Sequence, residues 1–321
     1  MKKTSLTISD LTKKLNVDPI ENQTITNWLS LGILFLAIVA LACSPIFTKL
    51  SEIELSPTAT IFNRLWIATI IVSFWQLIKV GEFQLIPLSN SDNRQIGLLI
   101  LASFCATASA ILWAVSFTQT SVASSTALRS LTPLFISFGA WLILKQTFER
   151  QFVIGLIIAV IGGIAIGWAD LQLDSQHLLG DSIALLSAAI HGANILTIGR
   201  LRDRGCSTDR ILLWRCGCGT SIMLPIVYFT DTPLLPISAS GWLIIIALAF
   251  VCQVLGQGLL VYSLKQFSAS FVGIFALLKP LIVALLAWII FAEEISVTGA
   301  IALVLILTGI YLAKSSDSST M

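Results

Sequence analysis

Acidic side chains are missing from the middle of every long apolar run in this chain. All seventeen Asp and Glu residues lie in tails, loops or run ends, with Asp181, Glu293 and Glu294 coming nearest to an apolar interior. A site for a cation or a cationic drug would need a carboxylate at that depth, so such cargo is disfavoured. Charge of either sign is scarce, at 11% of residues, far too little to cover a soluble domain. Histidine is nearly absent. His177 and His191 are too far apart for an HExxH helix, and no GxxxxGK[ST] loop is present. Zinc hydrolysis and a phosphate-loop ATPase are therefore not expected. Paired intramembrane aspartates and a serine with an activating base are missing too, which leaves no enzyme chemistry to build on. The six cysteines fall mostly in apolar runs, where cysteine packs as a small apolar residue. Cys216-x-Cys218 lacks a second CxxC or a nearby histidine, so no metal, and with it no cofactor, is expected.

What is present is apolar length. The chain is 56% hydrophobic with a mean hydropathy of +0.92, the composition of an integral membrane protein. Apolar runs fall at about 28–48, 58–78, 96–117, 121–144, 152–169, 179–199, 211–229, 241–263, 268–291 and 296–313. Most approach the ~20 residues that cross a hydrocarbon core, which predicts an all-α protein of ten transmembrane helices. Residues 1–27 are polar and of mixed charge, without the early apolar core of a secretory signal or the acid-poor composition of a transit peptide. They read as a cytosolic N-terminal tail. Residues 315–321 read as a cytosolic C-terminal tail.

Loop charges set the orientation. With the N-terminus inside, Lys2, Lys3, Lys13, Lys14, Lys79, Arg94, Lys145, Arg150, Arg200, Arg202, Arg204, Arg210, Lys265 and Lys314 all fall on the cytosolic side, whereas Lys49 alone falls outside. That bias predicts a multi-pass protein of the cytoplasmic membrane with both termini cytoplasmic.

An internal copy organises the chain. Placing Pro133 on Pro280 sets an offset of 147 residues, and nine identities then fall in the 28 positions 116–143, among them Ser116 with Ser263, Gln119 with Gln266, Ser121 with Ser268 and Trp141 with Trp288. The chain divides into five-helix repeats at 28–169 and 179–314, joined by an outer loop at 170–178. An odd number of crossings per repeat leaves the second one inverted relative to the first.

Four bases remain inside the predicted spans: Arg64, Arg129, Arg215 and Lys279. A lysine at mid-membrane costs roughly 2.5 to 3.5 kcal/mol on insertion scales, so it normally faces a cavity or a partner. Lys279 aligns with Thr132, and Arg129 stands three residues before Thr132, so the two bases fall on corresponding helix faces. They could clamp a carboxylate or phosphate, arginine as a planar fork and lysine as a mobile point charge. The plainer role for each is to bind helix-end carbonyls. Arg64 and Arg215 lie within a turn or two of a membrane face, where snorkelling to the headgroups is the expectation. Gln253 and Gln257 share a face, either lining a cavity or joining helices. His191 and Asn194 also share a face. His191 is the candidate for proton coupling, a hydrogen-bonded structural histidine being the plainer reading. Pro133 and Pro280 are expected to kink their helices beside the site. Trp113, Trp141 and Trp288 could wall a pocket, although packing is their commoner use.

These paired stretches, from Ser116 to Phe135 and from Ser263 to Leu281, each followed by a tryptophan, resemble the drug/metabolite transporter superfamily, specifically its EamA-type transporters. The second copy closes on Phe291, Glu293 and Glu294 like the family's usual ending, whereas Gln146 stands in the first copy where a glutamate is common. The resemblance covers nearly the whole chain from the first span. It implies ten helices in two repeats and transport of amino acids, other metabolites or drugs, with related branches exchanging sugar phosphates or nucleotide sugars.

Together these features predict a secondary transporter, working as an exporter, for a small anionic or zwitterionic metabolite such as an amino acid. Arg129 and Lys279 would hold the acid group, and Gln253, Gln257, His191 and Asn194 would read the remainder. An organic-phosphate or sugar-phosphate exchanger and a non-transporting membrane interaction protein are the alternatives. The expected partners are a small-molecule substrate and the lipid bilayer, with no nucleic acid. Coupling to a proton or a counter-substrate and assembly as a homodimer are compatible with this reading.

Overall fold

The structure is a computed structural model that describes residues 19–80, 93–116, 119–120, 125, 128–167, 178–230, 233–279, 281–283 and 297–316. Helix falls within each of the ten apolar runs. The first half comprises α1 (Pro19–Ser51), α2 (Pro57–Val80), α3 (Asn93–Ser116), α4 (Thr132–Leu144) and α5 (Arg150–Gly167). The second comprises α6 (Leu178–Asp203), α7 (Thr208–Thr230), α8 (Ala239–Ser263), α9 (Ala269–Phe275) and α10 (Val297–Lys314). Helices arise here because backbone N–H and C=O groups find no water in hydrocarbon and must satisfy one another within the segment. Among the described residues, six helices are long and apolar enough to cross a membrane: α1, α2, α3, α6, α7 and α8.

Helix pairing follows the internal copy. α2 lies along α7 and α5 along α10, while α3 packs on α6 and α1 on α8. Exchanging the two halves returns the same set of pairs. Individual contacts repeat as well. Ser109 of α3 meets Ser187 of α6, and 147 residues away on each chain segment, Gly256 of α8 meets Ala40 of α1, where an added Cβ would lie 3.3 Å from the alanine methyl.

The α5–α10 seam is made of small residues. A Cβ on Gly155 would stand 2.6 Å from the Gly309 carbonyl oxygen, and one on Gly162 would stand 3.0 Å from that of Ala302. Close backbone approach of this kind is how helices associate where no hydrophobic force separates protein from solvent. Residue 155 opposes 309 and residue 162 opposes 302, so α5 and α10 run antiparallel.

The two proline-bearing runs are interrupted. Residues 128–129 are helical, Ser130 and Leu131 form a turn, and α4 starts afresh at Thr132 with Pro133 in its first turn. The expectation of a continuous helix kinked at Pro133 is thereby corrected. A proline in the first helical turn gives up an N–H that would have had no partner anyway, so it opens a helix more readily than it bends one. The carbonyl it would have served, that of Arg129, accepts instead from the Thr132 hydroxyl at 2.7 Å. In the second copy α9 ends at Phe275, Ala276 and Leu277 turn, and helix resumes at 278–279 and 281–283. The Ala276 carbonyl accepts from the Lys279 N–H at 3.0 Å. Pro280 and Trp288 lie outside the described residues. Both breaks reach the same glycine: a Cβ on Gly163 would meet Ser130 Cβ at 3.0 Å and Leu277 Cδ2 at 3.1 Å.

α8 departs from regular geometry without stopping. Its middle, Leu248–Gly256, is π-helical, and the Gln257 N–H donates to the carbonyl of Cys252, five residues back. Such segments are rare and frequently mark functional sites. Its counterpart in the first half, α3, is regular throughout.

Candidate substrate site

Arg129 projects from the turn that precedes the first break. Its guanidinium donates from Nη1 to Ser187 Oγ and from Nη2 to Ser109 Oγ at 3.3 Å, and it lies over the Trp113 ring, 4.6 Å from the centroid. The two serines also bond each other's backbone, Ser187 Oγ donating to the Ser109 carbonyl at 2.9 Å and Ser109 Oγ to that of Ser187 at 3.1 Å. This α3–α6 clasp fixes the arginine plane, and among the described residues no other acceptor takes its remaining N–H groups. In the second half the equivalent contact is Gly256 against Ala40, so nothing there could hold a guanidinium. The bland reading, that Arg129 binds helix-end carbonyls, does not fit these contacts.

Lys279 follows the second break. Among the described residues its ammonium makes no hydrogen bond and no ion pair, and it is half-buried. The charges of Arg129 and Arg64 reach it. His191 is likewise within electrostatic reach of Arg129, Arg215 and Lys279 and makes no side-chain hydrogen bond among the described residues. Asn194, one turn along α6, is fully buried, and among the described residues neither its Oδ1 nor its Nδ2 has a partner. A buried amide without partners costs several kcal/mol by transfer measures, so this side chain awaits a donor and an acceptor.

Gln253 and Gln257 face α7 together. Gln257 Oε1 accepts from Arg215 Nη1 at 3.2 Å, and Gln253 Nε2 donates to Cys216 Sγ at 3.5 Å. Both therefore join helices, and Gln257 does so beside a charge. Arg215 is only 6% exposed. It is turned into the bundle, which corrects the expectation of snorkelling: depth along the helix was legible in the sequence, but rotation about its axis was not. Arg64 is also turned inward, its Nη1 reaching Ser44 Oγ at 3.5 Å. Trp141 is exposed on the outer face and walls no pocket.

The site thus gathers Arg129, Lys279, His191, Arg215 and Arg64, with no carboxylate hydrogen-bonded or ion-paired to them among the described residues. Asp181 is the one buried carboxylate among the described residues, and it is engaged by the Thr120 hydroxyl at 2.7 Å in the first turn of α6. Sequence reasoning missed Ser109 and Ser187. Their signal would have been a hydroxyl on each of two apolar faces, a pattern shared with ordinary helix packing.

Comparison with known proteins agrees with a two-part transporter. The model of the EamA-like transporter family matches residues 28–168 and again 178–314. A protein of Dictyostelium discoideum provisionally named a UDP-sugar transporter is 23% identical over 53% of this chain and 41% of its own length. The uncharacterized transporter YetK of Bacillus subtilis is 24% identical over 63% of this chain and 62% of its own, and an uncharacterized transporter of Clostridium kluyveri is 23% identical over 74% and 81%. The chain thus spans less than two thirds of the first two relatives. A crystal structure with 16% identity has the same fold, with a TM-score of 0.77 over 88% of this chain and 96% of that one.

Proposed function

This chain belongs to the EamA-like transporter family, and within that family we propose that it exports a small anionic or zwitterionic metabolite, most simply an amino acid, by alternating access. The observation that carries the reading is the position of Arg129 and Lys279, one on each side of paired helix breaks that meet at Gly163. Broken helices near the junction of two repeats are where transporters expose backbone and charge to a substrate. Arg129, held by two serines, would grip an acid group in fixed geometry, and Lys279 would follow it as a mobile charge. Asn194 supplies an unused amide donor and acceptor for the rest of the molecule, with His191, Gln253 and Gln257 around it. The antiparallel run of α5 and α10 supports inversion of the two halves, and the loop charges support cytoplasmic termini in a cytoplasmic membrane.

The chain acts as a carrier, not an enzyme. A proton taken by His191 or a counter-substrate would drive it. An organic-phosphate or sugar-phosphate exchanger is the second reading, favoured by the number of interior bases and by the name of the Dictyostelium relative. Proteoliposomes loaded with amino acids, organic acids and sugar phosphates separate the two. Efflux of an amino acid that external inorganic phosphate does not inhibit supports the first, and phosphate-dependent exchange supports the second. An imposed pH gradient that leaves efflux unchanged would remove proton coupling.

A further inference from the structure

A second cationic pair stands beside Arg129 and Lys279. Arg64 and Arg215 rise from α2 and α7, the equivalent helices of the two halves, and lie within electrostatic reach of each other. Arg215 is buried, and its one side-chain hydrogen bond among the described residues goes to a neutral acceptor, Gln257. Among the described residues Arg64 has only Ser44, at 3.5 Å, the limit of a hydrogen bond. The Nε of each is buried without an acceptor. Cys216 and Cys252 stand nearby as weak acceptors. Buried guanidiniums are ordinarily paired with an anion, and two of them on packed helices with none among the described residues are incomplete.

Taking the acid-transport reading as its basis, we propose that Arg64, Arg215 and Gln257 form a second anion subsite for a second acid group of the same cargo, so that the transported molecule carries two acid groups. Gln257 acts as a positioning residue, holding the Arg215 fork by one Nη. His191 is within electrostatic reach of Arg215 and of the first pair alike. Two points of attachment on one molecule act at high effective concentration, which raises affinity well beyond that of either point alone.

The test uses the full chain in neutral detergent and three probes, butyrate, glutarate and sulfate, read by protection against thermal unfolding. The expected result is a half-saturating concentration for glutarate at least tenfold below that for butyrate. Arg64→Gln and Arg215→Gln should bring glutarate to within twofold of butyrate, the loss falling mainly on glutarate, and Lys279→Met should weaken both. Equal wild-type values for glutarate and butyrate would overturn the proposal while leaving the acid-transport reading intact, and this comparison stands even if a variant fails to fold. Arg215→Gln weakening both probes alike would overturn it, and so would sulfate improving butyrate binding, which would mean a separate small ion in the second subsite. Protection by no probe would overturn this proposal and the acid-transport reading together.

Discussion

Thr132 and Lys279 hold the same place in the two halves, and each answers the carbonyl that the following proline cannot serve. Thr132 does so with its hydroxyl, donating to the Arg129 carbonyl at 2.7 Å. Lys279 does so with its backbone N–H, donating to the Ala276 carbonyl at 3.0 Å, so its side chain is left uncommitted. One duplicated break thus yields a braced turn in the first half and, among the described residues, an ammonium without a hydrogen bond in the second.

The serine clasp sets the precision of the first anion grip. Ser187→Ala removes one of the two hydroxyls that hold the Arg129 guanidinium, a charged hydrogen bond worth about 1.5 to 3 kcal/mol. The half-saturating substrate concentration for flux should rise by roughly tenfold or more, with little change in unfolding temperature. An unchanged value would mean that the arginine is positioned by Trp113 and its own backbone.

The glycine seam between α5 and α10 tolerates nothing larger. Gly309→Ala places a methyl 2.6 Å from the Ala159 methyl and 2.5 Å from the Gly155 carbonyl oxygen, an overpacking that costs about 1 to 3 kcal/mol. Gly97→Ala, in open space near the start of α3, should be neutral or gain up to about 1 kcal/mol from helix propensity. Unfolding temperatures of the two purified variants check the contrast.

Lys145 and Gly205 close their helices in the left-handed region, at φ 54° and 75°. Lys145 carries a Cβ there, and the Gln146 N–H after it closes the turn on the Ala140 carbonyl at 3.2 Å. Lys145→Gly should therefore stabilise by about 1 kcal/mol, and Gly205→Ala should destabilise by about 1 to 2 kcal/mol. Thermal unfolding would reveal both.

How much of this could be read from residues alone depends on what each signal averages over. Apolar runs mark helices because hydropathy accumulates over twenty positions. The breaks at 130–131 and 276–277 leave no trace in it, since Ser130, Leu131, Ala276 and Leu277 are ordinary residues of an apolar span. The 147-residue offset pointed to Arg129 and Lys279 because identity survives at Ser116, Gln119 and the prolines. Arg64 and Arg215 were misjudged because a sequence gives height in the membrane and not heading around the helix. The π-helical stretch of α8 carries no residue pattern of its own, and Ser109 and Ser187 look like packing hydroxyls until Arg129 is seen between them.

Glu54 fastens the α1–α2 loop to the start of α8. Its carboxylate accepts from the Ser238 hydroxyl and from the N–H groups of Ser238 at 3.1 Å and Ile237 at 3.0 Å, and these bonds, the hydroxyl first, hold its pKa below the usual carboxylate range. The stabilisation is present above the unfolded-state value, near pH 4.3 on the usual scale, and is lost as pH falls through the lower folded-state value. Glu54→Gln should lower the unfolding temperature at pH 7 and match the parent protein once the pH has fallen below the folded-state value. A difference that persists at the acid end would mean that the charge is not what matters.

The most direct test of the account is efflux from proteoliposomes loaded with amino acids, organic acids and sugar phosphates, comparing the parent chain with Lys279→Met. The account predicts selective loss of an acid from vesicles holding the parent chain and none from those holding the variant, with the two proteins equally monodisperse and equally stable. Equal efflux from both would take Lys279 out of the site and contradict the account.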